Sequence, residues 1–308
     1  MNALLHPPHK TVFVDPLAPV LVQGMTGRTG RQHSQRMRVY GTNIVGGVSP
    51  GNEVTAVDGV PIFRNCAEAV DATGASVSVV MVPPLAVLQA IDEAVTAGIK
   101  LIVAIAEGVP IHDAVKALHI VRRAGARWIG ASTPGLAIPG RLKLGFLPDV
   151  ALAPGCIGIM AKSGTLSYEV CHRLVCRGLG QSLWIGVGGD AVKGTRFADV
   201  LPYMANDPQT RAILVIGEIG GSEEEELAEA IQNSQCRKPV YALIAGRTAR
   251  EGVTMGHAGA LIQGGIGTIA SKRAALSSAG AQVFTGIKEL VEAVCEGFGK
   301  STGEKACG

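Results

Sequence analysis

The stretch Val20-Leu21-Val22-Gln23-Gly24-Met25-Thr26-Gly27-Arg28-Thr29-Gly30 decides how the chain is read. Three apolar residues in a row, closed by a glycine turn, describe a buried strand. The run that follows, to Tyr40 with Gly41 behind it, describes a helix ended by a left-handed glycine. Glycines at a strand-to-helix turn let the backbone approach a phosphate, and the helix N-terminus favours its negative charge. The spacing is G-x-x-G-x-x-G, not the G-x-G-x-x-G of dinucleotide sites. The next strand ends at Val48-Ser49-Pro50-Gly51-Asn52, with no acid to hold a ribose hydroxyl. Phosphate binding is expected at this turn, and an NAD-dependent oxidoreductase is disfavoured.

The same alternation runs outward from there. Strands are expected over 43–48, 76–82, 101–105 and 127–129. Helices are expected from an Asn65 cap to Gly74, over 85–97 before Gly98, and over 112–124 before Gly125. The segment 132–154 carries Pro134, Pro139, Pro148 and Pro154 and reads as an interdomain connection. The rhythm resumes with strands over 156–160, 182–187, 212–216, 240–244 and 282–284. Helices over 166–177, 197–206, 223–232, 271–278 and 287–295 separate them, and a polar tail from Gly297 is expected to fray. Strands alternating with helices predict an α/β protein of parallel sheets covered on both faces. A length of 308 residues fits two domains.

Composition narrows the function. The formal net charge is +3, which gives no support for nucleic-acid binding. Charged residues are 17%, below the roughly 25% of soluble domains, and apolar residues are 47%. No apolar run is long enough for a membrane span. The residues before Lys10 lack the pattern of a signal or transit peptide. Seven cysteines with no Cys-x-x-Cys predict neither a disulfide framework nor a zinc site, and a cytoplasmic location is expected.

Five further motifs are weighed for chemistry. Lys162-Ser163-Gly164-Thr165-Leu166-Ser167-Tyr168 is a second strand-to-helix turn suited to an anion; by itself it reads as an N-cap from Ser163 or Thr165. Met255-Gly256-His257-Ala258-Gly259-Ala260 sets one histidine among tiny residues, which on local chemistry alone is a histidine in a glycine loop. Gly217-Glu218-Ile219-Gly220-Gly221 ends an apolar strand with a carboxylate. It faces water, or it holds one nitrogen of a histidine and leaves the other nucleophilic. The acids at 223–226 read as a helix first turn, with Ser222 as N-cap and Glu225 as its capping-box partner, and no chemistry is assigned to them. Gly299-Lys300-Ser301 is half a Walker A motif, and Val294 stands where its first glycine belongs, so no triphosphate loop is read here.

Taken together the chain resembles the α subunit of succinyl-CoA synthetase and its relatives, the nucleoside-diphosphate-forming acyl-CoA ligases. The resemblance runs from about Val20 to Val294. It rests most on Gly189-Asp190, Asp207-Pro208-Gln209-Thr210, Gly217 to Gly221 and Gly256 to Ala260. It implies a Rossmann-like CoA-binding domain over 1–153 and a flavodoxin-like ligase domain over 154–308. Thr26, Gly27, Arg28 and Thr29 would take the CoA phosphates, with Asn52 nearby. Val82, Pro83, Ile105, Ala106 and Glu107 would line the adenine and pantetheine path. His257 would carry a phosphoryl group and Glu218 would orient it. Ser163, Gly164 and Thr165 would cradle the phosphate, with Tyr168 beside the acid. ATP or GTP with Mg would bind a separate β subunit of ATP-grasp type, in an αβ or α2β2 assembly. No metal site is implied on this chain. A catalytically silent CoA-binding or regulatory subunit is the alternative.

The chain departs from that pattern in three places. Succinate enzymes usually carry Gly-Pro-Asn-Cys-Pro-Gly where this chain reads Gly130-Ala131-Ser132-Thr133-Pro134-Gly135. Ser132 and Thr133 alter the substrate pocket, which points to a small organic acid other than succinate, such as malate or sulfoacetate. Asn52 stands where the family often has a lysine, with Arg28, Arg31 or Arg36 as substitutes. Lys162 stands where an arginine is common.

Overall fold

β1 (Val20–Gln23) forms where the sequence places it and is buried along its length. Its only polar side chain, Gln23, is satisfied by donating to Ser78 Oγ at 2.9 Å and to the Ala90 carbonyl at 3.0 Å. The structure is a computed structural model describing residues 12–51, 53–247, 256–262 and 267–300. Asn52 and Met255 lie outside the described residues.

The first sheet is built from β1, β2 (Ile44–Val48), β3 (Ala56–Val57), β4 (Val60–Phe63), β5 (Val77–Val80), β6 (Leu101–Ala104) and β7 (Arg127–Gly130). Helices α1 (Arg28–Tyr40), α2 (Cys66–Thr73), α3 (Val87–Thr96) and α4 (Ile111–Arg123) connect them. The order in space is β3-β4-β2-β1-β5-β6-β7, with only β3 antiparallel. Counted along the chain, the parallel strands run 3-2-1-4-5-6, the doubly wound order of Rossmann folds. Asn65 caps α2 by accepting the Glu68 N–H at 2.8 Å, and Gly41 and Gly74 close α1 and α2 in left-handed conformations.

The second sheet holds β8 (Gly135–Ile138), β9 (Leu142–Gly145), β10 (Pro154–Ala161), β11 (Gln181–Gly186), β12 (Ala212–Glu218), β13 (Val240–Ala245) and β14 (Gln282–Phe284). Its helices are α5 (Gly164–Val175), α6 (Phe197–Asn206), α7 (Glu223–Asn233), α8 (Ile269–Ser278) and α9 (Ile287–Lys300). The order is β14-β13-β12-β10-β11-β8-β9. Its five parallel strands follow 2-1-3-4-5, the flavodoxin order.

Two expectations change. The segment 132–154 is more than a connection: β8 and β9 form a hairpin antiparallel to β11. Its leucines Leu136, Leu142 and Leu144 are fully buried, each contributing about 1.5–3 kcal/mol. Thr42 Oγ1 beyond α1 donates to the Lys143 carbonyl at 2.6 Å and accepts its N–H at 3.1 Å, so the hairpin clips α1 to the second sheet. The short pair β3–β4 was also not expected. α9 continues helical to Lys300, past the fraying expected at Gly297. Among the described residues, no helix is long and apolar enough to cross a membrane, and no group of three or more His, Cys, Asp or Glu gathers to hold a metal.

Candidate active site

Each sheet reverses its strand order beside its first strand, between β1 and β5 and between β10 and β12. Ligands of open α/β sheets bind at the carboxyl ends of strands at such points. Here both points serve one cavity of about 710 Å³. The loops after β1, β5, β6, β7 and β10 all line it.

The β1–α1 turn explains two of its three glycines. Gly24 adopts φ +80°, and a Cβ there would lie 2.6 Å from the Met81 carbonyl oxygen. A Cβ on Gly30 would lie 2.1 Å from the Gly24 carbonyl oxygen. Gly27 is the extended N-cap of α1 with no side-chain cap, so the first N–H groups of that helix are left for a ligand. Gly27, Arg28 and Thr29 line the cavity. Thr26 is not among them, and its hydroxyl pairs with Ser49 Oγ at 2.8 Å.

Val82, Pro83, Ile105, Ala106 and Glu107 form the wall between the first turn and the second domain. On the far side, Ser163 caps α5 by accepting the Leu166 N–H at 3.4 Å, and Ser163, Gly164 and Thr165 present that N-terminus to the cavity. Tyr168 stands one turn further on, edge-on to Trp184 with ring centres 6.0 Å apart. Burial pushes its phenol up to about 12, so it remains a hydrogen-bond donor at neutral pH.

His257 reaches the same cavity from the loop between β13 and α8. Its Nδ1 lies 2.8 Å from Glu218 Oε2, at the end of β12. That hydrogen bond raises the imidazole pKa from its ordinary value; burial opposes it, the charges of Glu218 and Glu107 add to it, and Lys193 subtracts. The tautomer with the proton on Nδ1 leaves the Nε2 lone pair free. The ring rests on backbone: a Cβ on Gly189 would lie 2.2 Å from His257 Cγ. The Gly259 N–H donates to the Gly189 carbonyl at 3.1 Å, and a Cβ on Gly220 would lie 2.3 Å from the Gly259 oxygen. Glu218 stands behind the ring, against a second cavity of about 140 Å³.

Ser132 and Thr133 line the main cavity with different roles. Thr133 Oγ1 donates to the Gly186 carbonyl and accepts the Gly135 N–H at 3.0 Å, so its hydroxyl is already committed. Ser132 holds a left-handed φ of +55°. Its backbone, not its hydroxyl, bonds to Ala106 (2.8 Å) and Gly189 (3.2 Å).

Sequence reasoning missed what lies beneath the dyad. The acids of α7 do form its first turn, but two of them are also buried partners of lysines. Glu223 and Glu224 are buried and paired with Lys162, Lys193 and Lys272. The expected capping box is absent: Ser222 Oγ bonds Glu226 at 2.7 Å, and Glu225 turns to Ser271 and Lys272. Asp190 was quoted only as part of a motif; burial, with the neighbouring Glu107 carboxylate, raises its pKa. Phe146 also lines the cavity and carries no sequence signal.

Comparison with known proteins adds the following. A family model described as a CoA binding domain matches residues 17–108, and one described as CoA-ligase matches residues 160–282. Subunit alpha 2 of an ADP-forming succinate–CoA ligase from Archaeoglobus fulgidus is 46% identical over 285 residues, covering 92% of this chain and 99% of that protein. The corresponding alpha subunit of Aquifex aeolicus is 45% identical over 287 residues, covering 92% and 94%. Among solved structures, the ATP citrate lyase of Methanothrix soehngenii, in complex with citrate and coenzyme A, matches with a TM-score of 0.84 at 24% identity. The match takes in 94% of this chain and 51% of that one, so this chain spans about half of it and the likeness speaks for the fold. The dinucleotide-forming acetyl-coenzyme A synthetase 1 of Ca. Korarchaeum cryptofilum matches with a TM-score of 0.72 at 21% identity, over 90% of this chain and 60% of that one.

Proposed function

Because this chain belongs to the family of α subunits of ADP-forming succinate–CoA ligases, we propose that it works as the phosphoryl-carrying, CoA-binding half of an acid–CoA ligase through a phosphohistidine at His257. The observation that carries this is the 2.8 Å bond between His257 and Glu218, with the ring facing a cavity rimmed by two helix N-termini.

The steps follow from the ring. Glu218 holds the proton on Nδ1, and Nε2 attacks the terminal phosphorus of the nucleoside triphosphate, releasing the diphosphate. A carboxylate oxygen of the acid then attacks that phosphorus, forming an acyl phosphate and restoring the free imidazole. The CoA sulfur, having given up its proton, attacks the acyl carbon and expels inorganic phosphate. The N-terminus of α5 carries about half a positive charge and stabilises the phosphoryl group as it moves.

The residues present suit CoA. The β1–α1 turn offers free N–H groups and Arg28 for phosphates, and the wall from Val82 to Glu107 leads from there toward His257. Residues 1–153 are assigned to CoA, apart from the β8–β9 hairpin that completes the second sheet, and 154–308 to phosphoryl transfer. The nucleotide, ATP or GTP with Mg, belongs on a β subunit of ATP-grasp type, in an αβ or α2β2 complex. A cytoplasmic site of action fits this chemistry. His257 and Glu218 in bonding contact argue against a catalytically silent subunit.

For the acid we favour a small hydroxylated or sulfonated anion such as malate or sulfoacetate over succinate. With Thr133 committed to Gly186 and Gly135, Ser132 is the hydroxyl left for an extra substrate oxygen. The test is CoA-thioester formation by the complex across a panel of acids, with acid-labile phosphate on His257 followed in parallel. Strong preference for succinate rejects this choice of acid. Label that persists in His257→Ala rejects the phosphohistidine.

A further inference from the structure

The platform under His257 is held by a buried ion pair that the proposed chemistry does not use. Lys193 and Glu223 have side chains only 5% and 4% exposed, and their charges meet at 2.7 Å. Burying such a pair is costly unless every polar atom finds a partner. Here the surplus donors and acceptors are spent on backbone. Lys193 Nζ donates to the Gly188 carbonyl at 2.6 Å, and Glu223 Oε1 accepts the Phe197 N–H at 3.0 Å. The pair therefore grips both ends of the loop joining β11 to α6.

The ring of His257 is seated on that loop. Gly188 sits at φ +98°, with no room for a Cβ against the Ala131 carbonyl, 2.1 Å away. Gly189 follows, with its N–H on the Ser132 carbonyl, its own carbonyl on the Gly259 N–H, and the imidazole pressed on its Cα. A shift of the Gly188 carbonyl moves Gly189, and with it the plane and the height of the ring.

We propose that Lys193, anchored by Glu223, is a positioning residue for the phosphoacceptor: it fixes the Gly188–Gly189 backbone against which His257 is seated. The inference rests on the phosphohistidine reading and adds residues to it. Lys193 also faces the ring electrostatically. Among the described residues, the charged groups that act on His257 are Glu218 from β12, Glu107 from the β6–α4 loop, and Asp190 and Lys193 from the β11–α6 loop. Of these only Lys193 is a cation, and it opposes the three carboxylates.

The experiment compares wild type, Lys193→Met, Lys193→Arg and the double variant Lys193→Met/Glu223→Gln, each combined with the β partner and given γ-labelled ATP across a pH series. The double variant leaves no unpaired buried charge and guards against a single variant that fails to fold. Loss of the clamp is expected to slow His257 labelling by roughly tenfold to a hundredfold, the usual effect of a displaced reacting group. Removing the cation is expected to move the acid limb of the profile to higher pH, with Lys193→Arg keeping the wild-type limb. Titration of the His257 ring by nitrogen NMR should show the same upward shift in the isolated chain. A folded double variant that labels at the wild-type rate with an unmoved limb and an unmoved ring titration overturns the proposal. Wild type that takes no label on His257 rejects the phosphohistidine instead, and the ring titration still tests the platform.

Discussion

Glu218 Oε2 meets His257 Nδ1 at 2.8 Å across 39 residues of sequence, and that contact decides which ring nitrogen can react. Phosphoryl transfer needs the neutral ring, and Glu218 raises the pKa of the imidazole. Labelling of His257 should therefore fall as pH drops through that raised value. In Glu218→Gln the fall should move to lower pH, and the plateau rate should drop by roughly tenfold to a hundredfold because the ring is no longer oriented. A pH series of phosphorylation measures both. The same raised pKa makes the pair most stabilising below the unfolded histidine value of about 6.5, with the gain lost as pH rises through the folded value. The melting difference between wild type and His257→Ala should shrink from acid to alkaline pH.

Glu224 is the hub of the buried charges. Its carboxylate takes Lys162 at 2.9 Å and also Lys272, and Oε1 accepts the backbone N–H of Glu218 at 3.1 Å. Glu224→Gln leaves two buried lysines short of a counter-charge and should cost about 3–5 kcal/mol by denaturant unfolding. Burial alone would raise the Glu224 pKa, but Lys162 and Lys272 hold it below the usual range. Its contribution is thus present above the ordinary glutamate value and lost as pH falls through the folded one. Wild type should lose stability in that acid window, and Glu224→Gln should lose less there.

The fold was legible because its signals are local. Asn65 and Glu68 are three residues apart, and Gly41 and Gly74 sit one position past their helices, so caps and stops are written in neighbouring letters. The glycine turns after β1 and β10 were legible for the same reason. The hairpin β8–β9 was hidden by Pro134, Pro139 and Pro148, which mark a break but fall outside both strands and so do not forbid them. The acids of α7 do form its first turn, but their buried partners were not legible because they are far away in sequence. Lys162 is 62 residues from Glu224 and Lys272 is 48, and no local pattern announces such pairs. The dyad itself required the resemblance to known ligases: Gly217 to Gly221 and Gly256 to Ala260 are each ambiguous alone.

Substitution of two glycines should separate the proposed half-reactions. Gly30→Ala puts a Cβ 2.1 Å from the Gly24 oxygen and should unseat the start of α1. CoA affinity should fall roughly tenfold or more, with His257 labelling by ATP nearly unchanged. Gly189→Ala puts a Cβ 2.2 Å from His257 Cγ and should do the reverse. Labelling should drop by about a hundredfold while CoA still binds, as calorimetry would show. Equal loss of both functions in either variant would mean that the two rims do not act separately.

The pair Ser132 and Thr133 predicts how acid choice and stability divide. Thr133→Val strands the Gly135 N–H and the Gly186 carbonyl in a buried place, which should cost about 1–3 kcal/mol. Its effect on the ranking of acids should be small, since that hydroxyl does not face substrate. Ser132→Ala keeps the backbone bonds to Ala106 and Gly189 and should leave stability nearly intact. If Ser132 holds an extra substrate oxygen, that variant should raise KM for a hydroxylated or sulfonated acid by roughly tenfold, the worth of one hydrogen bond. KM for CoA and for succinate should not move. An unchanged ranking of acids in Ser132→Ala would reject Ser132 as the residue that selects the acid and leave Tyr168, whose phenol lines the same cavity, as the next hydroxyl to test.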